Sequence, residues 1–392
     1  MQLRSENRGM LVTNTHGHQW YQNDPATLLE INGPVPEREF VINSRKNLEF
    51  SRESDIQRTY SRLDYFLTMF PPTQLQLIVQ LTNQQLSKEG KETTCKGEIL
   101  KLFGIFILIT HYEFGSRSEL WANTQKHKYL PAVSLGNTGG MSRHRFDNLF
   151  KALRFSRQAE YRPEGMSHER HRWQLVDDFV HNFNDHRSKN FKPGTKICVD
   201  ESISRWYGQG RDWINKGLPM YVAIDRKPEQ GCEIQNASCA ESGIMIQLKL
   251  VKTKDEEERD NVDDGINHGT KVLTDLVKPW AHTNRIVCAD SYFASKQTID
   301  CLRKMGLRFI GVVKTASKGY PMGYLSKIEL HKRGDHHGVV SYDGNSNSPN
   351  TLAFVWMDRE RRYFISSCSS LQKGKPWIRE RWRQVNREVL MR

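Results

Sequence analysis

Two aspartates, Asp200 and Asp290, carry the chemistry this sequence can do. Each follows a short apolar run: Ile197, Cys198 and Val199 before Asp200 in TKICVDESIS, and Ile286 to Ala289 before Asp290 in RIVCADSYFAS. An almost unbroken apolar run of that length reads as a strand covered on both faces of a sheet. Open α/β sheets place ligands at the carboxyl ends of such strands, where a rigid element meets an accessible crevice. Two carboxylates facing one crevice suit a hard divalent cation, Mg2+ or Mn2+, which takes oxygen ligands. Paired cations of this kind hold the attacking and leaving oxygens of a phosphodiester, and they need two or three carboxylates to do so. Alone, Asp290 can be read as no more than a cap on the helix that follows. The recurrence of the design at Asp200 favours the metal-binding reading.

The surrounding residues predict the elements that would position these acids. After Asp290, Ser295 is placed to cap a helix over Lys296 to Lys304, with Ile299 and Leu302 at helical spacing. After Asp200 comes a Gly-rich aromatic connection, RWYGQGRDWINKGLP, and then YVAIDRKP, CEIQNAS and IMIQLKLV, all of strand composition. The acidic run DEEERDNVDD reads as a solvated loop, Gly265 to Trp280 as a helix and LRFIGVVK as a further strand. The fold class is therefore mixed α/β, with residues 191–320 as the core. Residues 321–392 form a β-rich insertion and a basic tail. Residues 56–190 read as helical: TQLQLIVQLTNQQL is amphipathic, and the stretch from Gly97 to Phe114 is apolar nearly all round. In MSRHRFDNLFKALRF, Phe146, Leu149, Phe150 and Leu153 share a face, while Arg143, Arg145 and Lys151 flank it, open to phosphate contact or simply to solvent. Residues 1–55 are polar, with Pro25, Pro34 and Pro36, and read as a mostly disordered arm tacked down locally.

The 392 residues suffice for two or three cores. With 58 Lys and Arg against 45 Asp and Glu, the net charge of +13 points to a polyanion, nucleic acid before a membrane surface. The seven cysteines include no C-x-x-C pair and read as buried thiols of a reducing compartment. Cys232 and Cys239 with His331, His336 and His337 match no standard zinc spacing. The N-terminus lacks an apolar signal core, and the longest apolar run, Leu102 to Ile109, is too short to span a bilayer. The expectation is a soluble intracellular protein with no membrane partner and no nucleotide cofactor.

Three stretches, in order, resemble the piggyBac-type transposases: the helix EILKLFGIFILI followed by SRSELW, the helix MSRHRFDNLFKALRF, and VDES with CADSYFAS. The resemblance covers roughly residues 60 to 370, and CADSYFAS is its most specific part. It implies an RNase H-like core and DNA cut-and-paste transposition by phosphodiester hydrolysis and strand transfer. It aligns Asp200 and Asp290 with the first two metal-binding acids, so that both are the expected catalytic and metal residues for Mg2+ or Mn2+. It further implies double-stranded DNA as partner, a homodimer as one expected assembly, residues 56–190 as the dimerisation and DNA-binding domain, and the nucleus as location. The sequence departs from the family at the third acid and at a Cys-rich zinc-binding tail, neither of which is matched, and so reads as C-terminally truncated. Asp300, Asp335, Asp343, Asp358, Glu380 and Glu388 are the acids available as substitutes, none in the expected context. Three readings stand: a DNA-binding relative that is catalytically incomplete, an active metal-dependent enzyme with an unrecognised third ligand, and a non-enzymatic interaction module.

Overall fold

The computed structural model describes residues 10–14, 17–22, 39–40, 61–110, 117–124, 132–205, 222–223, 230–252, 265–314, 317–342, 349–372, 382–385 and 388–391. The chain forms two compact units, one of residues 36–265 and 275–279, the other of residues 1–35, 266–274 and 280–392. Among the described residues no helix is long and apolar enough to cross a membrane. The connection 206–221, the acidic run 255–264 and residues 373–381 of the basic tail lie outside the described residues.

Within the stretch read as a mostly disordered arm, β1 (Met10–Thr13) and β2 (Gln19–Gln22) pair antiparallel, and Trp20 is fully buried. A third short strand of that stretch, β3 (Glu39–Phe40), belongs to the other unit.

The unit of residues 36–265 starts with helices whose ends the sequence marks. Ser61 and Asp64 form a reciprocal capping box at the start of α1 (Arg62–Met69), and Pro72 occupies the first turn of α2 (Pro72–Lys88). The next helix, α3 (Lys96–Ile109), is followed by the short α4 (Leu135–Thr138) and by α5 (Arg143–Ala152), which Ser142 caps. Leu75, Ile78 and Leu86 of α2, Ile99, Leu102 and Ile105 of α3, and Phe146, Leu149 and Ala152 of α5 close one core. α3 is thus buried along one face; at its end Ile107 and Leu108 are exposed. The long α6 (His168–Asn190) packs beside the strands that follow it. β4 (Phe191–Lys192) pairs with β3, while β5 (Lys196–Arg205), β6 (Val222–Ala223), β7 (Gln230–Cys239) and β8 (Met245–Leu250) are antiparallel, with β7 pairing all three others. Asn184 of α6 joins helix to sheet as a strand would: its amide oxygen accepts the Leu248 N–H at 2.8 Å and its amide nitrogen donates to the Leu248 carbonyl at 2.8 Å. Arg187 donates to the Met245 carbonyl at 2.8 Å and lies over the Phe183 ring, and burial lowers its pKa to about 10.

In the other unit, to which residues 268–274 of α7 (His268–Val277) belong, the chain continues through β9 (Ile286–Ala289), α8 (Lys296–Lys304) and β10 (Arg308–Val312). β9 and β10 are parallel, with Ile286 opposite Arg308 and Ala289 opposite Gly311, so α8 is the helical crossover a parallel pair requires. The insertion then adds antiparallel strands: α9 (Met322–Leu325) precedes β11 (His336–Tyr342), β12 (Pro349–Met357) and β13 (Arg361–Ser366). β13 pairs with β10, β12 with β13, β11 with β12, and β2 with β11. β14 (Trp382–Val385) and β15 (Glu388–Met391) form a separate two-stranded ribbon. The mixed α/β class expected from the residues is the one observed.

Candidate metal and nucleic-acid site

Asp200 does not end its strand. It lies in the middle of β5, because β7 pairs with that strand along its whole length, from Ile197 opposite Cys239 to Arg205 opposite Gly231. Side chains alternate along it: Ile197 and Val199 are buried, while Cys198 and Asp200 are exposed. The strand is therefore covered on one face at this point, and the carboxylate rides on the open one. Asp200 Oδ1 accepts the Glu201 N–H at 2.9 Å. Across the ladder stands Asn236, whose amide donates to Ser202 Oγ at 3.1 Å.

Asp290 follows β9 directly, as its sequence context predicts, and it does not cap the next helix. That role falls to Ser295, whose Oγ accepts the Thr298 N–H at 3.0 Å. Asp290 Oδ1 instead accepts the Tyr292 N–H at 2.8 Å, closing a tight turn over its own backbone, and the Ala294 N–H bonds the Asp290 carbonyl at 3.2 Å. Beneath the turn, Phe293 is 1% exposed. Thr298 Oγ1 donates to the Phe293 carbonyl at 2.6 Å and lies 2.8 Å from Thr270 Oγ1 of α7, both threonines being fully buried. Gly269 packs so closely that a Cβ there would stand 2.8 Å from the Tyr292 carbonyl, and one at Gly311 would stand 2.9 Å from the Ala289 carbonyl. The turn that presents Asp290 is thus held from three sides.

Asp200 belongs to the first unit described and Asp290 to the second. Both carboxylates are exposed, and among the described residues neither is ion-paired. The other acids considered as ligands have different surroundings. Asp300 is bonded to Lys296 at 2.5 Å and Arg303 at 3.3 Å, Asp335 accepts the His331 and Lys332 N–H groups at 3.0 Å, and Asp358 pairs with Arg333. The two Asp335 bonds pull its carboxyl below the usual range. Asp343 and Glu380 lie outside the described residues, and only the backbone of Glu388, in β15, is described. No group of three or more His, Cys, Asp or Glu that could hold a metal occurs among the described residues. None of the seven cysteines is in a disulfide, and only Cys239 is buried, so most of them do not act as core hydrophobes.

Arg145, open in the sequence to a phosphate contact, is committed to the fold. Its Nε and Nη2 donate to the two oxygens of Glu98 at 2.7 Å, and its guanidinium also reaches the carbonyls of Glu92 at 2.8 Å and Thr93 at 2.7 Å. Thr94 Oγ1 donates to the same carboxylate at 2.6 Å, and Asn83 brackets the Thr94 backbone. Arg145 holds the Glu98 carboxyl below the usual range, and Glu98 raises the guanidinium in turn. Spacing did not single out this pair, because its partners are 47 residues apart. It also left unnoticed Lys314, just past the end of β10, whose Nζ lies 5.9 Å from the centre of the Tyr292 ring.

The sequence model of the family described as Transposase IS4 matches residues 61–391. The chain belongs to this transposase family. Among solved structures it is similar to the piggyBac transposase in a synaptic complex with hairpin DNA, with a TM-score of 0.62 and 20% identity over 81% of this chain. The chain spans 63% of that protein's length. No curated protein matches it significantly. The fold of this family member is thus that of the piggyBac transposase, in keeping with the motifs that first pointed there.

Proposed function

We propose that this transposase-family chain binds duplex DNA and that Asp200 and Asp290, each in its own unit, are the metal-binding acids for a divalent cation that the family resemblance implies, with no third acid among the described residues completing a two-metal site. The observation that carries the reading is the contrast among the acids. Asp200 and Asp290 are exposed, free of ion pairs among the described residues and fixed by one backbone N–H each, whereas Asp300, Asp335 and Asp358 are already engaged. An all-oxygen, carboxylate-rich donor set fits Mg2+ or Mn2+. When bound, such an ion polarises a phosphoryl oxygen and makes water a better nucleophile. The chain's own part is to bind and orient: within its own unit, β5 holds the Asp200 carboxylate, and within the other the pinned turn after β9 holds that of Asp290. The charge of +13 supports a DNA partner. A homodimer and a nuclear location belong to the same proposal and rest on the family resemblance.

The test is a Mn2+ titration followed by electron paramagnetic resonance, run on the parent and on Asp200→Ala and Asp290→Ala. Saturable binding lost in both variants is expected; binding untouched by either substitution overturns the assignment. Duplex affinity measured across a salt series should fall steeply, on the order of 10³-fold from low to physiological salt if six or more phosphates are contacted. Residues 1–392 are expected neither to nick nor to join DNA in Mg2+ or Mn2+. Metal-dependent nicking that the double variant lacks would establish the active-enzyme reading instead.

A further inference from the structure

Asn236 of β7 stands directly opposite Asp200 of β5, so the two side chains rise from the same face of the ladder. The Cβ atoms of residues paired in this way lie about 4.5–5.5 Å apart. Asp200 is exposed, whereas Asn236 is only 9% exposed. Burying an amide is costly unless its polar atoms are engaged, and only one of the two is. The Asn236 nitrogen donates to Ser202 Oγ at 3.1 Å. Ser202 itself fixes that assignment: its hydroxyl spends its one proton on the Ile234 carbonyl at 3.4 Å, so Oγ is left to accept and the amide group facing it is the NH2. The amide oxygen lies on the other side of the same carbon, turned away from Ser202, the side on which Asp200 stands. Among the described residues this oxygen accepts no hydrogen bond, and neither does Asp200 Oδ2; Asp200 Oδ1 takes the Glu201 N–H at 2.9 Å. Two oxygens that only accept are thus carried by one rigid pair of strands, with no donor between them.

We infer that Asn236 supplies its amide oxygen as a further, neutral ligand to the cation at Asp200, with Ser202 the residue that turns it there. This rests on the reading of Asp200 as a metal-binding acid, and it adds a ligand without charge from the strand beside it. Hard divalent cations take amide oxygens as well as carboxylates. Neighbouring oxygens on an octahedral Mg2+ stand about 3 Å apart, a separation that the side chains of two opposite residues reach without any movement of their strands. Because the amide is neutral, it offsets none of the ion's charge, which is left to a phosphoryl oxygen.

The experiment titrates Mn2+ into the full chain, with electron paramagnetic resonance reading the affinity and water-proton relaxation at saturation reading the waters left on the ion. The parent, Asp200→Ala, Asn236→Ala, Asn236→Asp and Ser202→Ala are compared, each checked for folding by circular dichroism. Asn236→Ala should weaken Mn2+ binding about tenfold or more, since even the loss of a group that orients a ligand costs that much. It should also raise the relaxation, as a water takes the vacated place. Asn236→Asp keeps an oxygen there and should bind at least as tightly as the parent, with the relaxation unchanged. Ser202→Ala lets the amide turn and should weaken binding by a smaller factor; if Asn236→Ala does not fold, a parent-like affinity in Ser202→Ala overturns the inference. Asn236→Ala equal to the parent while Asp200→Ala binds none, or Asn236→Asp as weak as Asn236→Ala, assigns Asn236 to the fold alone and overturns the inference with the metal-binding reading intact. A folded parent without saturable Mn2+ binding overturns that reading and this inference with it.

Discussion

Arg145 on α5 and Asp290 after β9 both lie in the stretches that mark this chain as a transposase relative, and their charges meet opposite fates. Arg145 donates to both oxygens of Glu98 and to two carbonyls, and its side chain is only 16% exposed. Asp290 accepts a single N–H from its own turn and faces water. In the unit of residues 36–265 the charge joins α5 to α3 and to the segment before it. In the other unit the turn after Asp290 rests on uncharged contacts, through Phe293, Thr298 and Thr270, and the carboxylate is left available. A charged residue within a family motif is thus a candidate for chemistry only after its partners have been counted.

The sharpest way to break this comparison is Arg145→Ala. It leaves the half-buried Glu98 carboxylate and two carbonyls without their donor, and should cost roughly 2–4 kcal/mol in urea unfolding. A loss below about 0.5 kcal/mol, the range of ordinary surface changes, would show the network to be ornamental. Thr298→Val comes next. It removes the hydroxyl that bonds the Phe293 carbonyl and the Thr270 hydroxyl in a fully buried site, and should cost about 1–2 kcal/mol. Because the same hydroxyl pins the Asp290 turn, Mn2+ affinity should fall as well, even at temperatures where the variant stays folded. Unchanged metal affinity in the folded variant would separate the pinning from the site.

His186 offers a smaller, pH-dependent effect. Its Nε2 is 2.7 Å from the Thr68 carbonyl and its Nδ1 3.1 Å from the Asn190 amide nitrogen, an arrangement suited to the neutral ring. Burial lowers its pKa from 6.5, so the unfolded chain binds the proton more readily than the folded one. The corresponding stability is present above about pH 6.5 and is lost as the pH falls through the folded value. His186→Gln should therefore flatten the acid limb of a stability–pH curve, and an identical limb in parent and variant would refute the assignment. The smallest effect on stability belongs to Asp290→Asn, within about 0.5 kcal/mol of the parent, because the amide oxygen still accepts the Tyr292 N–H. That same substitution should abolish saturable Mn2+ binding; a large loss of stability would mean that the carboxylate supports the fold after all.

The run from Ile286 to Lys304 was legible in sequence because everything that shapes it is local. An apolar run, an Asp that closes a turn over its own backbone, a capping Ser and a helical repeat each act within a few residues. The starts of α1 and α2 are set in the same local way, by the Ser61–Asp64 capping box and by Pro72. Asp200 was placed less well: its short apolar prefix suggested a strand end, but β5 continues to Arg205 because the distant β7 offers a partner for every residue. The β1–β2 hairpin was hidden in polar sequence, since its place is set by β11, more than 300 residues further along the chain.

Residue types and spacing by themselves determined the mixed α/β class and the two acids of interest, through short-range sterics, capping and apolar periodicity, while the family was legible only through the resemblance of three motifs. Tertiary structure alone decided which charges are engaged. Glu98 claims Arg145 from 47 residues away, Lys296 and Arg303 claim Asp300, and Tyr292 is held at the surface beside Lys314 by contacts from α7 and β10. The physical reason is that a residue's propensity acts on its own backbone, whereas its charge is satisfied by whatever the folded chain brings near, and that choice is written in no single stretch of sequence.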